Sequence, residues 1–288
     1  MAATDTTCVA FADAAGEPLV ATTNRTDRWL LVELHGPWEP DAIETEGLGD
    51  AVRARLRAWL ATTPESRLLL IRRPERRDAT GSHVYLVDSR PGHESLRCAV
   101  LASHDDLVSA DLDDASFGEP VAGPLLLVCH HGRRDACCAR LGKPLYEAFV
   151  AAAAPVWQCS HVGGHRFAGN VVWLPEGITL GRVQPEDAAA VLAGARAGRI
   201  PLANLRGRSS HAPAAQAADG ALRAELGADG VAAVRVTAVA ETAEGFEVRL
   251  VAGATEHTYA VSRSERFDSL GSCGDEPTAI SRLVASRV

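Results

Sequence analysis

The sequence lacks the long apolar stretches that would place it in a membrane. No apolar run approaches the ~20 residues of a membrane-spanning helix, and the start, MAATDTTCVAFADAAG, has no basic, then apolar, secretory signal. A surplus of basic charge is also missing, since 29 Lys and Arg face 37 Asp and Glu. Phosphate binding depends on concentrated Lys and Arg, so a broad nucleic-acid-binding face is disfavoured. We expect a cytoplasmic protein with no membrane or nucleic-acid partner.

Several catalytic motifs are absent as well. There is no G-x-S-x-G nucleophile elbow and no phosphate-binding P-loop. Residues 47–52, GLGDAV, begin like a dinucleotide fingerprint but lack its third glycine and follow no predicted strand. No C-x-x-C pair occurs, which weakens thiol–disulfide exchange, although the adjacent Cys137 and Cys138 leave that reaction open.

Two segments have the apolar runs and helical spacing of β-α-β units. The first has predicted strands at 29–34, 67–71 and 83–87 and a predicted helix at 50–61. The second has predicted strands at 124–128, 156–159, 170–174 and 179–183 and predicted helices at 139–153 and 185–197. This order of elements is compatible with a thioredoxin-like α/β layer.

The rest of the chain is predicted from its turn-forming residues and from the alternation of apolar and polar residues. GEPVAG (118–123) is a linker between the two units, and small residues over 199–220 indicate a second break. Alternating runs at 231–240, 246–251 and 257–261 predict three antiparallel strands. The tail then continues as a loop, SLGSCGDEP, and a short closing helix.

The two α/β segments also resemble each other. LLVELHG (30–36) aligns with LLVCHHG (126–132), RLLLIRR (67–73) with VWQCSHV (156–162), and HVYLVDS (83–89) with NVVWLPE (170–176). We interpret this as a degenerate internal duplication in which the second copy alone has metal-ligand side chains. Glu33 then stands where Cys129 stands in the second copy, and Arg72 falls opposite His161.

Cysteine and histidine cluster in one short window. Residues 129–165 contain four of the 7 Cys and four of the 10 His. Cysteines in a chain without a secretory signal stay mostly reduced, so metal or redox chemistry is favoured over disulfides. The remaining three cysteines have no Cys or His neighbours in the sequence, and we interpret them as structural or incidental thiols: Cys8, Cys98 and Cys273.

The placement of the clustered residues favours a metal centre. Cys129 ends a predicted strand and Cys138 begins a predicted helix, so the loop between them can bring both thiolates to one metal. His161 and His165 flank Val-Gly-Gly, where the glycines indicate a tight loop rather than a helix. A Cys₂His₂ set can bind Zn²⁺ or a [2Fe–2S] cluster. The wide Cys pair followed by a close His pair favours iron–sulfur only slightly over zinc.

Four segments point to a known family: WLLVELHGPW (29–38), LLIRRPER (69–76), LLVCHHGRRDACCA (126–139) and CSHVGGHRFAGNVVWLPEGITLGRV (159–183). They resemble the sucrase/ferredoxin-like proteins, which contain a thioredoxin-like ferredoxin domain. The resemblance covers most of the chain through about Val183. Nothing in the sequence looks like a pair of glycosidase carboxylates, so the word sucrase is not taken as an activity.

The resemblance implies a [2Fe–2S] cluster with Cys at both ends of C-x₈-C and His at both ends of H-x₃-H. In this chain those residues are Cys129, Cys138, His161 and His165. Other members of the family can have Asp at the position of His165. Cys137, which adjoins Cys138, and Cys159 are the alternative ligands.

The expected fold is therefore α/β in three parts. Residues 1–117 form a thioredoxin-like α/β domain without ligands, 118–205 form the thioredoxin-like [2Fe–2S] ferredoxin domain, and 206–288 form a C-terminal α+β section of unknown role. The expected function is a one-electron carrier between a reductase and an electron acceptor, not a stand-alone enzyme. Neutral imidazoles in place of thiolates make reduction easier: Rieske-type centres have reduction potentials of roughly −150 to +300 mV, against about −400 mV for all-cysteine plant-type ferredoxins. The imidazole N–H groups also allow proton-coupled reduction. The alternatives are a structural zinc-binding module and a thioredoxin-like thiol oxidoreductase.

Overall fold

The computed structural model describes residues 7–73, 81–112 and 116–288. The last three residues of the LLIRRPER segment lie outside these ranges. The described helices are α1 (Cys8–Ala14), α2 (Asp50–Thr62), α3 (Ala136–Ala151), α4 (Ala188–Arg196) and α5 (Pro213–Leu226). No helix in the described ranges combines the length and apolar character that crossing a membrane requires.

The described strands fall into three successive groups. Those of the first unit are β1 (Arg28–Glu33), β2 (Ser66–Arg72), β3 (Ser82–Asp88), β4 (Ser95–Leu101) and β5 (Glu119–Pro120). Those of the second unit are β6 (Leu125–Cys129), β7 (Val156–Cys159), β8 (Val171–Leu174), β9 (Ile178–Leu180) and β10 (Leu205–Arg208). Those of the C-terminal section are β11 (Val234–Thr242), β12 (Gly245–Ala252), β13 (Thr255–Arg263), β14 (Phe267–Ser269), β15 (Thr278–Ile280) and β16 (Leu283–Arg287).

The first ten strands form one sheet, in the order β10-β9-β8-β6-β7-β2-β1-β3-β4-β5. In each unit a strand pairs in parallel with the strand that follows its helix, β1 with β2 and β6 with β7. On their other sides, β1 pairs antiparallel with β3 and β6 pairs antiparallel with β8. The units meet where β2 and β7 pair antiparallel. This α/β arrangement confirms the predicted thioredoxin-like fold class and its duplicated unit.

Strand register tests the internal alignment residue by residue. Leu31 pairs with Tyr85 in the first unit, and its aligned partner Leu127 pairs with Val172 in the second, as the alignment predicts. The register of β6 with β7 differs by one residue from the register of β1 with β2 that the alignment predicts, because Glu33 lies beside Ile71 whereas Cys129 lies beside Cys159. The prediction that Arg72 falls opposite His161 is therefore wrong. The register places Arg73 there instead.

Alternation along the strands divides the core into clusters. On β1 and β6, Leu30 and Leu126 point toward the helices, α2 in the first unit and α3 in the second. The residues next in sequence, Leu31 and Leu127, point to the other face and belong to one cluster that spans both units. Cys129, at the end of β6, lies on the same face as Leu127 and belongs to the same cluster. The metal-ligand window thus begins inside the core that joins the two units.

The C-terminal section differs from the predictions in two places. Its meander β11-β12-β13 is as predicted, and β16 completes a four-stranded sheet. The predicted break over 199–220 is wrong, because it contains β10 and the start of α5. Alanine favours helix, Pro213 occupies the first turn, and Gly227 ends the helix with φ 63°. The predicted closing helix is also wrong, since residues 283–287 pair as a strand with the open edge of β13.

Candidate metal centre

The fold brings three of the four predicted ligands together. Cys129 ends β6, Cys138 lies in the first turn of α3, and His161 follows β7. Because β6 and β7 are parallel neighbours, their carboxyl ends meet at the same edge of the sheet, under the start of α3. The ligand atoms of these three residues all lie within 4.8 Å of one another. Both thiols are buried, and His161 is partly exposed.

Hydrogen bonding differentiates the two thiols. The Cys138 thiol and His161 donate to the Cys129 sulfur, which lowers the pKa of Cys129 despite its burial. The same contact with Cys129, together with burial, raises the pKa of Cys138. Cys138 Sγ also lies 3.6 Å from His161 Nδ1. The Cys129 thiol therefore loses its proton more readily than the Cys138 thiol, and a metal that displaces the proton of Cys138 gains a second thiolate.

His165 lies at the edge of this group. Its ring centroid is 5.3 Å from that of His161, and its Nδ1 lies 3.2 Å from Asp135 Oδ2. Burial lowers the pKa of His165, which favours the neutral imidazole that metals bind. With Nδ1 facing a carboxylate, the nitrogen left to bind a metal is Nε2. A histidine backed by a carboxylate in this way is typical of metal sites.

Asp135 holds the start of α3 and faces His165 at the same time. Its Oδ1 accepts a hydrogen bond from the Cys137 N–H at 2.8 Å, which caps the helix. Burial alone would raise the pKa of Asp135. Hydrogen bonds from the Cys273 N–H, the Ser272 hydroxyl and the Cys137 N–H outweigh it and lower the pKa to about 2. The cap also explains why α3 begins at Ala136, three residues before the predicted start at 139.

The loop from His161 to His165 is tight, as its glycines predict. Gly163 and Gly164 have φ of 89° and 69°, a region that L side chains rarely adopt. The fully buried Arg206 donates to the Gly163 carbonyl at 3.0 Å and to Asn170 Oδ1 at 2.8 Å. Asn170 Nδ2 in turn donates to the Gly164 carbonyl at 2.9 Å. Arg206 was missed by the sequence analysis, because it lies in a stretch that was predicted as a break and has no motif of its own.

A second arginine supports the loop from the first unit. Arg67 Nη2 donates to the His161 carbonyl at 2.7 Å. Burial lowers the pKa of Arg67, and the nearby sulfurs of Cys129 and Cys159 oppose that shift. The register of the duplicated units explains this contact, since β2 and β7 are neighbours. Nothing in the spacing of the ligands points to Arg67.

The alternative ligands point elsewhere. Cys159 is fully buried in the core that spans both units, and burial raises the pKa of its thiol. Cys137 Sγ lies 3.5 Å from Cys8 Sγ and 3.3 Å from Cys273 Sγ, in a separate group. Cys8 and Cys273 have no Cys or His neighbours along the sequence, but the fold brings both of them to Cys137. His131 is buried beside the centre and accepts from the His161 N–H at 3.2 Å.

These residues fit a soft metal centre. Two buried thiols and adjacent imidazoles are the donors that zinc and iron–sulfur clusters take in proteins. A family model described as Sucrase/ferredoxin-like matches residues 19–207, well over half of the chain. The chain belongs to the sucrase/ferredoxin-like family. The match includes all four predicted ligands.

Individual relatives of this family member cover less of it. A protein of Meyerozyma guilliermondii named Altered inheritance of mitochondria protein 32 is 35% identical over 85 residues, 26% of this chain and 30% of the relative. Its namesake in Candida glabrata is 27% identical over 126 residues, 38% of this chain and 40% of the relative. The chain thus spans about a third of the length of these curated relatives. A thioredoxin-like [2Fe–2S] ferredoxin from Aquifex aeolicus is 17% identical, with a TM-score of 0.26, and the match covers 30% of this chain and 91% of that one.

Proposed function

We propose that this protein is a one-electron carrier that binds a [2Fe–2S] cluster through Cys129, Cys138, His161 and His165. The observation that carries the proposal is that the two buried thiols of Cys129 and Cys138 lie together with the imidazole of His161, whose ring centroid is 5.3 Å from that of His165. Family membership adds support, because the matched residues contain the whole set. When bound, such a cluster takes up and releases single electrons.

The side chains around the centre set its charge. Cys129 and Cys138 supply two negative ligands, while His161 and His165 are neutral, so the set has less negative charge than four thiolates. Arg67 and Arg206 lie behind the ligand loop and add positive charge. Both features favour the reduced state and make the reduction potential higher than that of an all-cysteine centre.

His161 is the route by which electrons enter and leave. It is partly exposed, whereas Cys129, Cys138 and His165 are buried. A cavity of about 340 Å³ beside His161 is lined by Arg67, Arg134 and Asp41 among other residues. A reductase and an electron acceptor would dock over this cavity in turn. The proposal includes a cytoplasmic location and a ferredoxin domain over residues 118–205.

A structural zinc site is the second candidate at the same place. The ligand atoms of Cys129, Cys138 and His161 lie within 4.8 Å of one another, which also suits a single tetrahedral ion. His165 would then have no role as a ligand. Substitution of that residue therefore separates the two functions.

The test compares metal content across single substitutions in anaerobically purified protein. For a cluster, His165→Ala and Cys138→Ser both lose iron and acid-labile sulfide, and Cys98→Ser, a cysteine on β4, retains them as the matched control. For a three-ligand zinc site, His165→Ala retains its metal and none of the proteins contains sulfide. The second result overturns the carrier.

A further inference from the structure

A second group of thiols lies behind the candidate centre. Cys8 at the start of α1, Cys137 at the start of α3 and Cys273 between β14 and β15 come from distant parts of the chain. Their sulfurs form a triangle with sides of 3.5, 3.3 and 3.5 Å. Cys8 and Cys137 are buried, and Cys273 is partly exposed.

A carboxylate completes the group. Asp135 is buried, and its Oδ1 lies 3.5 Å from Cys273 Sγ and 3.8 Å from Cys8 Sγ. The other oxygen, Oδ2, is already engaged, since it accepts from the Ser272 hydroxyl at 2.7 Å and from the Cys273 N–H at 3.0 Å. Among the described residues, Oδ1 accepts a single hydrogen bond from an N–H group, that of Cys137. It therefore has a lone pair directed at the thiols.

These separations suit a metal better than a disulfide. A disulfide brings two sulfurs to about 2.05 Å and would leave the third thiol of the triangle unpaired. Four ligands placed about 2.3 Å from a central zinc lie about 3.8 Å from one another. All four side chains of this group have a ligand atom within 4.8 Å of every other one.

We propose that Cys8, Cys137, Cys273 and Asp135 form a structural zinc site that is separate from the Cys129 centre. Soft thiolates favour zinc over harder cations, and three sulfurs with one oxygen form a closed tetrahedral set. Each of the three thiols releases its proton to solvent when the ion binds. Cys8 and Cys273 both lie outside residues 19–207, so the family match does not account for this site.

The site joins parts of the chain that are far apart in sequence, α1, the first turn of α3 and the loop before β15. Helix α1 has seven residues, too few to be stable alone. Zinc would fix α1 and the loop before β15 to the first turn of α3. That turn also contains Cys138, and Asp135 faces His165. The zinc site therefore stabilises the turn that contains Cys138 and the carboxylate that faces His165.

The test measures zinc and iron separately in the full chain, purified anaerobically from cells supplied with both metals. We expect one zinc per chain in the wild type. Cys273→Ser should lose that zinc and retain the iron, whereas Cys129→Ser should lose iron and retain the zinc. Cys273→His, which supplies another zinc ligand, should restore zinc binding and shows that the loss is not a failure to fold. Cys98→Ser is the matched control and should change neither metal.

Cobalt gives a second measurement at the same site. Co²⁺ added to zinc-depleted wild type should produce a thiolate-to-cobalt charge-transfer band, and this band should be absent from Cys273→Ser. Three results overturn the proposal. The first is free, alkylatable thiols at all three positions in zinc-supplied wild type, and the second is a disulfide among these thiols after anaerobic purification. The third is zinc that is lost with Cys129→Ser and not with Cys273→Ser. Because iron is measured independently, failure of the zinc site leaves the carrier proposal to its own test.

Discussion

Asp135 Oδ2 lies 3.2 Å from Nδ1 of His165, and both side chains are buried. The contact joins the residue that caps α3 to the predicted fourth ligand of the cluster. It fixes the ring so that Nε2, not Nδ1, is left for a metal. A carboxylate behind a ligand imidazole also makes the imidazole a stronger donor.

Asp135→Asn tests this contact. Asparagine caps helices about as well as aspartate, so α3 should remain intact. The lost charge weakens His165 as a donor, and we expect iron to be released to a chelator roughly 10–100-fold more readily. The reduction potential should rise, because a weaker donor stabilises the oxidised centre less. Asp187→Asn, at the start of α4, is the control, and equal behaviour of the two variants would contradict the assigned role.

His161→Cys tests the charge of the ligand set. The substitution replaces a neutral ligand with an anionic one, so the cluster should be retained and its reduction potential should fall toward that of an all-cysteine ferredoxin, about −400 mV. The wild-type potential should also decrease with rising pH, as the imidazole N–H groups lose protons. Redox titration at several pH values measures both effects. A wild-type potential that stays flat from neutral to alkaline pH would contradict proton-coupled reduction.

Gly164→Ala tests the loop between the two histidines. Gly164 has φ 69°, and an added Cβ would lie 2.3 Å from Arg206 Nη2. Gly198 has a similar φ of 65° but open space around it, so Gly198→Ala isolates the cost of the backbone conformation. We expect Gly198→Ala to lower the free energy of unfolding by ~1 kcal/mol. Gly164→Ala should lower it further and reduce iron content, and equal stability of the two variants in urea would show that Arg206 does not constrain the loop.

His211 predicts a pH dependence of stability. Burial, with help from the nearby arginines, lowers the pKa of His211 to about 3. An unfolded histidine titrates near ~6.5, so below that pH the unfolded chain binds a proton that the folded chain does not. The contribution of His211 to the free energy of unfolding is therefore fully present above about pH 6.5. It falls as the pH decreases, by at most ~1.4 kcal/mol per pH unit.

His211→Gln should flatten this dependence between pH 7 and pH 5. Urea unfolding at the two pH values measures the change. The exposed His93→Gln is the control and should retain the wild-type slope. A slope in His211→Gln equal to that of the wild type would show that His211 is not the group that titrates.

Local pattern was enough to predict the strands that form the centre of the sheet. The apolar runs of β1, β2, β6 and β7 are short and buried on both faces, which makes them recognisable without a partner. The registers of β1 with β2 and of β6 with β7 are tertiary properties, so the alignment of the duplicated segments was wrong there by one residue. Helix α5 was missed because alanines make up much of its buried face, and alanine combines the small size of turn residues with the propensity of a helix former.

The residues of the candidate site also divide into those with a local signal in the sequence and those without one. Cys129, Cys138 and His161 lie on local signals, the end of a strand, the start of a helix and a glycine loop. Arg67 and Arg206 act through backbone carbonyls of the ligand loop, and no spacing in the sequence connects them to it. The triangle of Cys8, Cys137 and Cys273 joins residues 265 apart in the chain. Only the folded arrangement of α1, α3 and the loop before β15 brings them together.

The most direct test of the redox centre is iron and acid-labile sulfide analysis of anaerobically purified protein, combined with an EPR spectrum after dithionite reduction. We expect equal amounts of iron and sulfide, as a [2Fe–2S] cluster requires, and a rhombic signal of the Rieske type. Zinc without iron or sulfide, in protein from iron-supplied cells, would contradict it.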